Sequence, residues 1–221
     1  MMRNLDLDTI IGHFEAALSP LSDSEIKVHE ATGAFRYIPY RINAFLEQLD
    51  TAVTARRVLG CSKPKFLDVG CGIGTKVLLA QHFGCDAYGL EINPKYVEVA
   101  RKVLAGGGGF EAWSETMRRR RSVAKHIIEA DALTFDYSPY DIIYFYCPQR
   151  HVEDGKGGRK TLERRLEQRI LDTATPGTVV MANLAAHPAF GGTEGVWKKG
   201  CETIRLADRN IYLIEPKKRR K

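Results

Sequence analysis

The most constraining stretch of this chain is an apolar strand that runs directly into three glycines and then into a helix. Phe66-Leu67-Asp68-Val69 leads to Gly70-Cys71-Gly72-Ile73-Gly74, and helix-forming residues follow from Thr75. Glycines at such a junction permit a tight reversal and let the backbone come close to a ligand. A strand that turns at once into a helix is the opening of a βαβ unit, so the chain is expected to build a parallel sheet.

The flanking sequence repeats that alternation. Lys65–Val69 reads as the first strand, Thr75–Phe83 as a helix and Ala87–Leu90 as the second strand. Pro94–Leu104 is a helix ended by the glycine run Gly106–Gly109. His126–Glu129 and Asp141–Tyr146 read as the third and fourth strands. The apolar run Ile142-Ile143-Tyr144-Phe145-Tyr146 suits a strand buried on both faces. Lys160–Ala174 is a helix with Leu162, Leu166 and Ile170 in one stripe, and Pro176-Gly177 introduces a fifth strand, Thr178–Leu184. The end reads as a hairpin, Glu202–Leu206 and Ile211–Ile214. The expected fold is α/β, a Rossmann-like doubly wound sheet, mostly parallel with an antiparallel last strand.

Residues 1–60 read differently, as a helical cap. Leu7, Ile10, Ile11, Phe14 and Leu18 recur at helical spacing. A longer helix begins near Pro39, presents Ile42, Phe45, Leu46, Leu49 and Val53 on one face, and stops at Gly60. The core is expected over residues 61–216, with a Gly/Arg-rich insertion at 106–123 and a basic tail at 217–221.

The 221 residues carry 33 Lys+Arg and 27 Asp+Glu. The basicity is local: Arg118–Arg121 and Lys217–Lys221 hold nine of the cations, and without them 24 basic side chains face 27 acidic ones. These runs are either solvated segments or anion-binding patches, through which a nucleic acid could be held. The five cysteines, Cys61, Cys71, Cys85, Cys147 and Cys201, are odd in number and lack C-x-x-C spacing. That argues against a disulfide framework and a structural zinc site, and a reducing cytoplasm is the expected home. No metal ligand set is expected. Met1–Ile10 carries Asp6 and Asp8 without an apolar run, so no signal peptide is expected; the longest charge-free stretch, Thr173–Thr193, contains Pro176, Gly177, Pro188 and Gly191, so no membrane span is expected.

The glycine loop narrows the ligand. Its pattern is G-x-G-x-G, and Thr75 stands where a dinucleotide fingerprint needs its last glycine. Glu91 ends the second strand, twenty-one residues after Gly70, where an acidic side chain takes a ribose diol. Asp68 and Glu91 would repel a diphosphate but suit a ligand with an ammonium group, a sulfonium and a ribose.

On these residues the chain resembles the class I S-adenosylmethionine-dependent methyltransferases, in layout from about Pro64 onward. Asp68-Val69-Gly70-Cys71-Gly72-Ile73-Gly74 is similar to the family's first motif, Glu91 to its acidic ribose ligand, and Glu129-Ala130-Asp131-Ala132-Leu133 to the motif after its third strand. The resemblance implies the seven-stranded methyltransferase fold, S-adenosyl-L-methionine as cofactor and S-adenosyl-L-homocysteine as product. It implies a cofactor site of Asp68, Gly70, Cys71, Gly72, Gly74, Glu91, Ile92, Asp131 and Ala132. Asp131 would take the adenine amino group and Ala132 would offer its backbone N–H. Each acidic residue also has a local reading, as a cap or a turn former.

In this family the acceptor usually sits at the end of the fourth strand. Members that methylate amino groups of bases or amides often carry Asn/Asp-Pro-Pro-aromatic there. This chain has Tyr146-Cys147-Pro148-Gln149 instead. Cytosine C5 enzymes place a cysteine after a proline, the reverse of Cys147-Pro148. Tyr146 and Cys147 are the candidate catalytic residues. Tyr37, Tyr40, Tyr144 and His151 are candidates for the acceptor pocket, with core packing or simple exposure as the alternatives. The glycine-rich stretch 151–160 could form a lid. The reading is a methyltransferase acting on a protein or small molecule. The rivals are an RNA or DNA methyltransferase and a non-catalytic cofactor-binding module. A nicotinamide-dependent oxidoreductase should have the longer glycine spacing and a separate substrate domain, and neither is visible.

Overall fold

A computed structural model describes residues 42–105, 123–146, 158–182, 203–206 and 211–215. The elements are α1 (Ile42–Val58), β1 (Lys65–Val69), α2 (Thr75–His82), β2 (Asp86–Glu91), α3 (Pro94–Leu104), β3 (Ile127–Glu129), β4 (Ile142–Phe145), α4 (Gly158–Thr173), β5 (Val179–Ala182), β6 (Thr203–Leu206) and β7 (Ile211–Ile214). The strands form one seven-stranded sheet in the order β3-β2-β1-β4-β5-β7-β6. β1 pairs in parallel with both β2 and β4, and β7 runs antiparallel to β5 and β6. The expected doubly wound sheet with an antiparallel end is what the chain forms. The first helix of the expected cap, the Arg118–Arg121 insertion and the Lys217–Lys221 tail lie outside the described residues.

Alternation along the strands divides the core into two layers. Phe66 of β1, Ile142 and Tyr144 of β4, and Val179 and Met181 of β5 face α1, α2 and α3. Leu67, Val69, Ile143, Phe145 and Val180 face the other way, where α4 contributes Leu166 and Ile170. All four residues of β4 and of β5 are buried, as the apolar runs require of strands covered on both faces. The stripe on α1 turns inward as expected. Phe45, Leu49 and Val53 are buried, and Phe45 packs edge-on against Tyr144 and Phe66 at 5.0 and 6.1 Å.

Several expected boundaries shift by one or two residues, and two of these shifts have a clear side-chain reason. His126 precedes β3 in a short 3-10 turn, because its ring stacks on Tyr88 at 4.3 Å and its Nδ1 meets the Ala87 carbonyl at 3.1 Å. β4 starts at Ile142, because Asp141 is engaged as a clamp. Its carboxylate pairs with Arg56 of α1 and accepts from the Lys65 N–H at 2.8 Å and the Cys61 thiol at 3.6 Å. Arg56 also donates to the Gly177 carbonyl before β5. One guanidinium thus ties α1 to the amino ends of β1, β4 and β5, opposite the glycine loop.

Truncating Arg56 leaves the partly buried Asp141 and the Gly177 carbonyl short of a donor. Arg56→Ala is expected to lower stability by about 2–3 kcal/mol, measured by urea unfolding.

Candidate cofactor site

The glycine loop lies at the carboxyl end of β1, beside the point where the strand order reverses between β1 and β4. Open α/β sheets take ligands there. The Gly70 and Cys71 N–H groups both donate to the Leu90 carbonyl, at 2.8 and 3.0 Å, so the loop is fastened to β2 as it leaves β1. Gly70, Gly72 and Gly74 have φ of 73°, 54° and 85°, a region that side chains with a Cβ rarely enter. Gly74 then starts α2, and the Leu78 N–H donates to its carbonyl.

Glu91 shapes the other side of the loop. It is buried, and its Oε2 accepts from the Gly72 N–H at 2.9 Å. Its Oε1 accepts from the Ile92 and Asn93 N–H groups, both at 2.9 Å. Burial raises its pKa, and the Asn93, Gly72 and Ile92 donors pull it back down. A carboxylate has about four acceptor sites, so these three bonds leave capacity for a ligand hydroxyl. Ile92, the next residue, is 51% exposed and offers apolar surface beside that carboxylate. Asn93 then caps α3, accepting from the Lys95 and Tyr96 N–H groups at 2.9 and 3.5 Å, with Pro94 in the first turn.

Asp68 is the electrostatic anomaly. It is 2% exposed, and its Oδ2 has no hydrogen-bond partner. Burial raises its pKa from 3.8 to about 6, with Lys76 opposing and Glu91 adding to the rise. Lys76, in the first turn of α2, is lowered by burial and partly restored by Asp68. Burial, with Asp68 and Glu91 nearby, pushes the Cys71 thiol well up, so Cys71 stays a neutral packing group. Its Sγ rests against Gly89 of β2. A Cβ at Gly89 would lie 2.6 Å from it and 2.9 Å from Ile127 Cδ1.

The third wall follows β3. Asp131 Oδ1 accepts from the Leu133 N–H at 2.8 Å, and its carbonyl accepts from the Thr134 and Phe135 N–H groups. The turn-forming reading of Asp131 therefore describes its local geometry. The Tyr137 hydroxyl donates to the Ala132 carbonyl at 2.8 Å, and Arg169 of α4 holds the Phe135 and Thr134 carbonyls at 2.9 Å. Tyr144 is fully buried between Phe45 and Lys76, which is the core-packing alternative, and Tyr146 is partly buried at the end of β4. Tyr37, Tyr40, Cys147 and His151 lie outside the described residues. Among the described residues no group of three His, Cys, Asp or Glu could hold a metal. The structure adds Lys76, which the sequence reading passed over. Its one signal was a lysine just before the apolar middle of α2, Val77–Ala80.

The donor set fits S-adenosylmethionine: an open buried carboxylate oxygen for an ammonium, a second carboxylate with room for a ribose hydroxyl, and a glycine-lined approach. Residues 67–169 match the family model described as a methyltransferase domain. No curated protein matches. The bifunctional kinase-methyltransferase WbdD shares the fold, with 14% identity and a TM-score of 0.53 over 91% of this chain and 46% of its own. A mutant of MtNAS in complex with S-adenosylmethionine aligns over 96% of this chain and 74% of its own, with 16% identity and a TM-score of 0.49. PH0226 from Pyrococcus horikoshii OT3 aligns at 17% identity and a TM-score of 0.42 over 62% of this chain and 56% of its own. The chain thus spans about half the length of two of these three proteins. The match of residues 67–169 to a methyltransferase domain agrees with the resemblance carried by the glycine loop.

Two measurements test this geometry. Gly89→Ala forces Cys71 and the loop away from β2. It is expected to cost about 1–3 kcal/mol by urea unfolding, with weaker cofactor binding. The second test concerns Asp68. Its pKa is higher folded than unfolded, so the folded protein holds a proton that the unfolded chain releases between pH 4 and 6. Stability of the ligand-free protein therefore falls as pH rises through that window, by on the order of 2–3 kcal/mol. Asp68→Asn is expected to be more stable than wild type at pH 7.5 and to lose that advantage near pH 4. A stability difference independent of pH would contradict this account.

Proposed function

We propose that this chain is an S-adenosylmethionine-dependent methyltransferase whose acceptor is a protein or a small molecule. S-adenosylmethionine is the cofactor and S-adenosylhomocysteine the product. The observation that carries the reading is the pair of buried carboxylates, Asp68 and Glu91, on either side of a glycine loop that fits a cationic nucleoside and repels a diphosphate. The choice of acceptor rests on charge, since outside two short runs the chain is slightly acidic.

Bound S-adenosylmethionine supplies an electrophilic methyl group on a sulfonium, which an acceptor lone pair takes in line while the carbon–sulfur bond breaks to leave a thioether. The protein's work is to bind, align and exclude water. Glu91 holds a ribose hydroxyl on its remaining acceptor site while three backbone donors fix its carboxylate. Ile92 covers one face of the base. Asp131 and Ala132 bound the far end of the pocket, where Tyr137 and Arg169 hold their turn. Tyr146, which directly follows β4, and its sequence neighbour Cys147 are the candidates for contact with the acceptor.

Calorimetric titration with S-adenosylmethionine and S-adenosylhomocysteine tests the reading. Wild type is expected to bind both. Glu91→Ala, which loses the ribose contact and frees three backbone donors, is expected to weaken binding by about a hundredfold or more. No binding of either compound by folded wild type would overturn the assignment. Radiolabelled methyl incorporation in a lysate divided into protein, nucleic acid and small molecules then identifies the acceptor. Label in nucleic acid, abolished by replacing Arg118–Arg121, would favour the rival acceptor. Binding without transfer to any fraction would favour a non-catalytic module.

A further inference from the structure

Residues 130–141, between β3 and β4, carry neither helix nor strand, yet side chains tie them down at several points. Asp131 opens a turn. Its carbonyl accepts from the Thr134 and Phe135 N–H groups, both at 3.1 Å, and from the Thr134 hydroxyl at 3.2 Å. Its Oδ1 accepts from the Leu133 N–H at 2.8 Å. None of these bonds uses Asp131 Oδ2 or the Ala132 N–H. The C=O and N–H of a trans peptide point in opposite directions, so with the Asp131 carbonyl turned inward the Ala132 N–H points out of the turn.

The turn is held from α4. Arg169 spreads its guanidinium over two successive carbonyls, Nη2 donating to Thr134 and Nε to Phe135, each at 2.9 Å. A planar fork of this kind fixes two peptide groups at once. One helical turn later, Thr173 Oγ1 accepts from the Tyr137 N–H at 3.3 Å and donates to the Arg169 carbonyl at 2.8 Å. Tyr137 is fully buried, and its hydroxyl reaches back to the Ala132 carbonyl at 2.8 Å. Satisfying loop carbonyls does not by itself require this arrangement. Thr134 is exposed, where water serves a carbonyl without ordering a long side chain. A partly buried arginine is ordered there instead, and the contacts fall on residues 132, 134, 135 and 137, just after Asp131.

We infer that Arg169, with Tyr137, is a positioning residue that sets base selectivity: α4 holds the Asp131–Ala132 turn so that a carboxylate oxygen and a backbone donor stay in fixed relation at the base. The inference rests on the cofactor reading above, in which Asp131 and Ala132 bound that end of the pocket. Adenine presents an amino donor next to a ring-nitrogen acceptor, and hypoxanthine presents the reverse, a carbonyl next to an N–H. A rigid acceptor–donor pair rejects the reversed base, because both of its members are then left unmatched. A loosened turn loses that discrimination.

Wild type, Arg169→Ala, Arg169→Lys, Tyr137→Phe and Gln168→Ala are titrated calorimetrically with S-adenosylhomocysteine and, by displacement, with S-inosylhomocysteine, in which hypoxanthine replaces adenine. Wild type is expected to prefer the adenine compound by about a hundredfold. In Arg169→Ala that preference is expected to fall by about tenfold, through weaker S-adenosylhomocysteine binding, while S-inosylhomocysteine binding stays within about twofold. Arg169→Lys is expected to recover part of the preference. Tyr137→Phe, which keeps the buried ring, is expected to lower it in the same direction. Gln168→Ala, an exposed neighbour on α4 bonded only to Asp172, is expected to keep it. Urea unfolding identifies any variant that fails to fold, and Tyr137→Phe carries the test if Arg169→Ala does. An unchanged preference in the folded variants would overturn the inference, and an equal loss for both compounds would do so too, since Arg169 would then only support the loop. Equal binding of both compounds by wild type would overturn it while leaving the cofactor reading intact. If wild type bound neither, the cofactor reading itself would fail.

Discussion

The reversal of the chain at the end of β1 is the constraint on which the rest of this structure depends. β1 is hydrogen-bonded on both edges, to β2 and β4, and covered on both faces. The chain can leave it only at its end, and must turn at once to lay α2 back on the sheet. Three glycines with positive φ make the turn, and the Leu90 carbonyl with the Glu91 carboxylate holds it in place. That fastening uses backbone N–H groups that would otherwise be orphaned near a helix start. The pocket is what remains when a buried strand end is closed with backbone alone.

Closing the site this way concentrates charge where it is least comfortable. Asp68 and Glu91 are both buried, and each raises the pKa of Cys71 between them. Glu91 is compensated by three backbone donors, whereas Asp68 has an oxygen with none. The free protein therefore carries a local cost that a cationic ligand relieves. Strain of this kind is commonly kept at functional sites and offset elsewhere. Here the offset includes the Arg56–Asp141 clamp at the opposite end of the sheet and the double-sided core around β4 and β5.

Much of this was legible in the sequence. Pro94–Leu104 was bounded on both sides by local signals, a capping asparagine with proline and then a glycine run, and the helix has those limits. The buried strands were legible because covered strands read as unbroken apolar runs. Several element edges fell a residue or two from where the local pattern put them, and two of these were set by distant partners. His126 leaves β3 to stack on Tyr88, and Asp141 leaves β4 to meet Arg56, eighty-five residues away in sequence. Chemistry and spacing pointed to Asp68, the glycines and Glu91, and the fold gathers these residues at the ends of β1 and β2. The site was not legible at Lys76, because a single lysine carries no period and no motif.

By itself, then, the sequence determined the alternation of strands and helices, the glycine reversal and the residue types that line it. Those follow from side-chain period and from the φ that only glycine adopts freely, both properties of neighbours along the chain. Only the tertiary structure decided the strand order, the three donors gathered by Glu91, the open oxygen of Asp68 and the approach of Lys76 to the same patch of sheet. Those depend on which strands lie side by side and on what burial does to charge, and neither quantity exists until segments far apart in sequence have packed together.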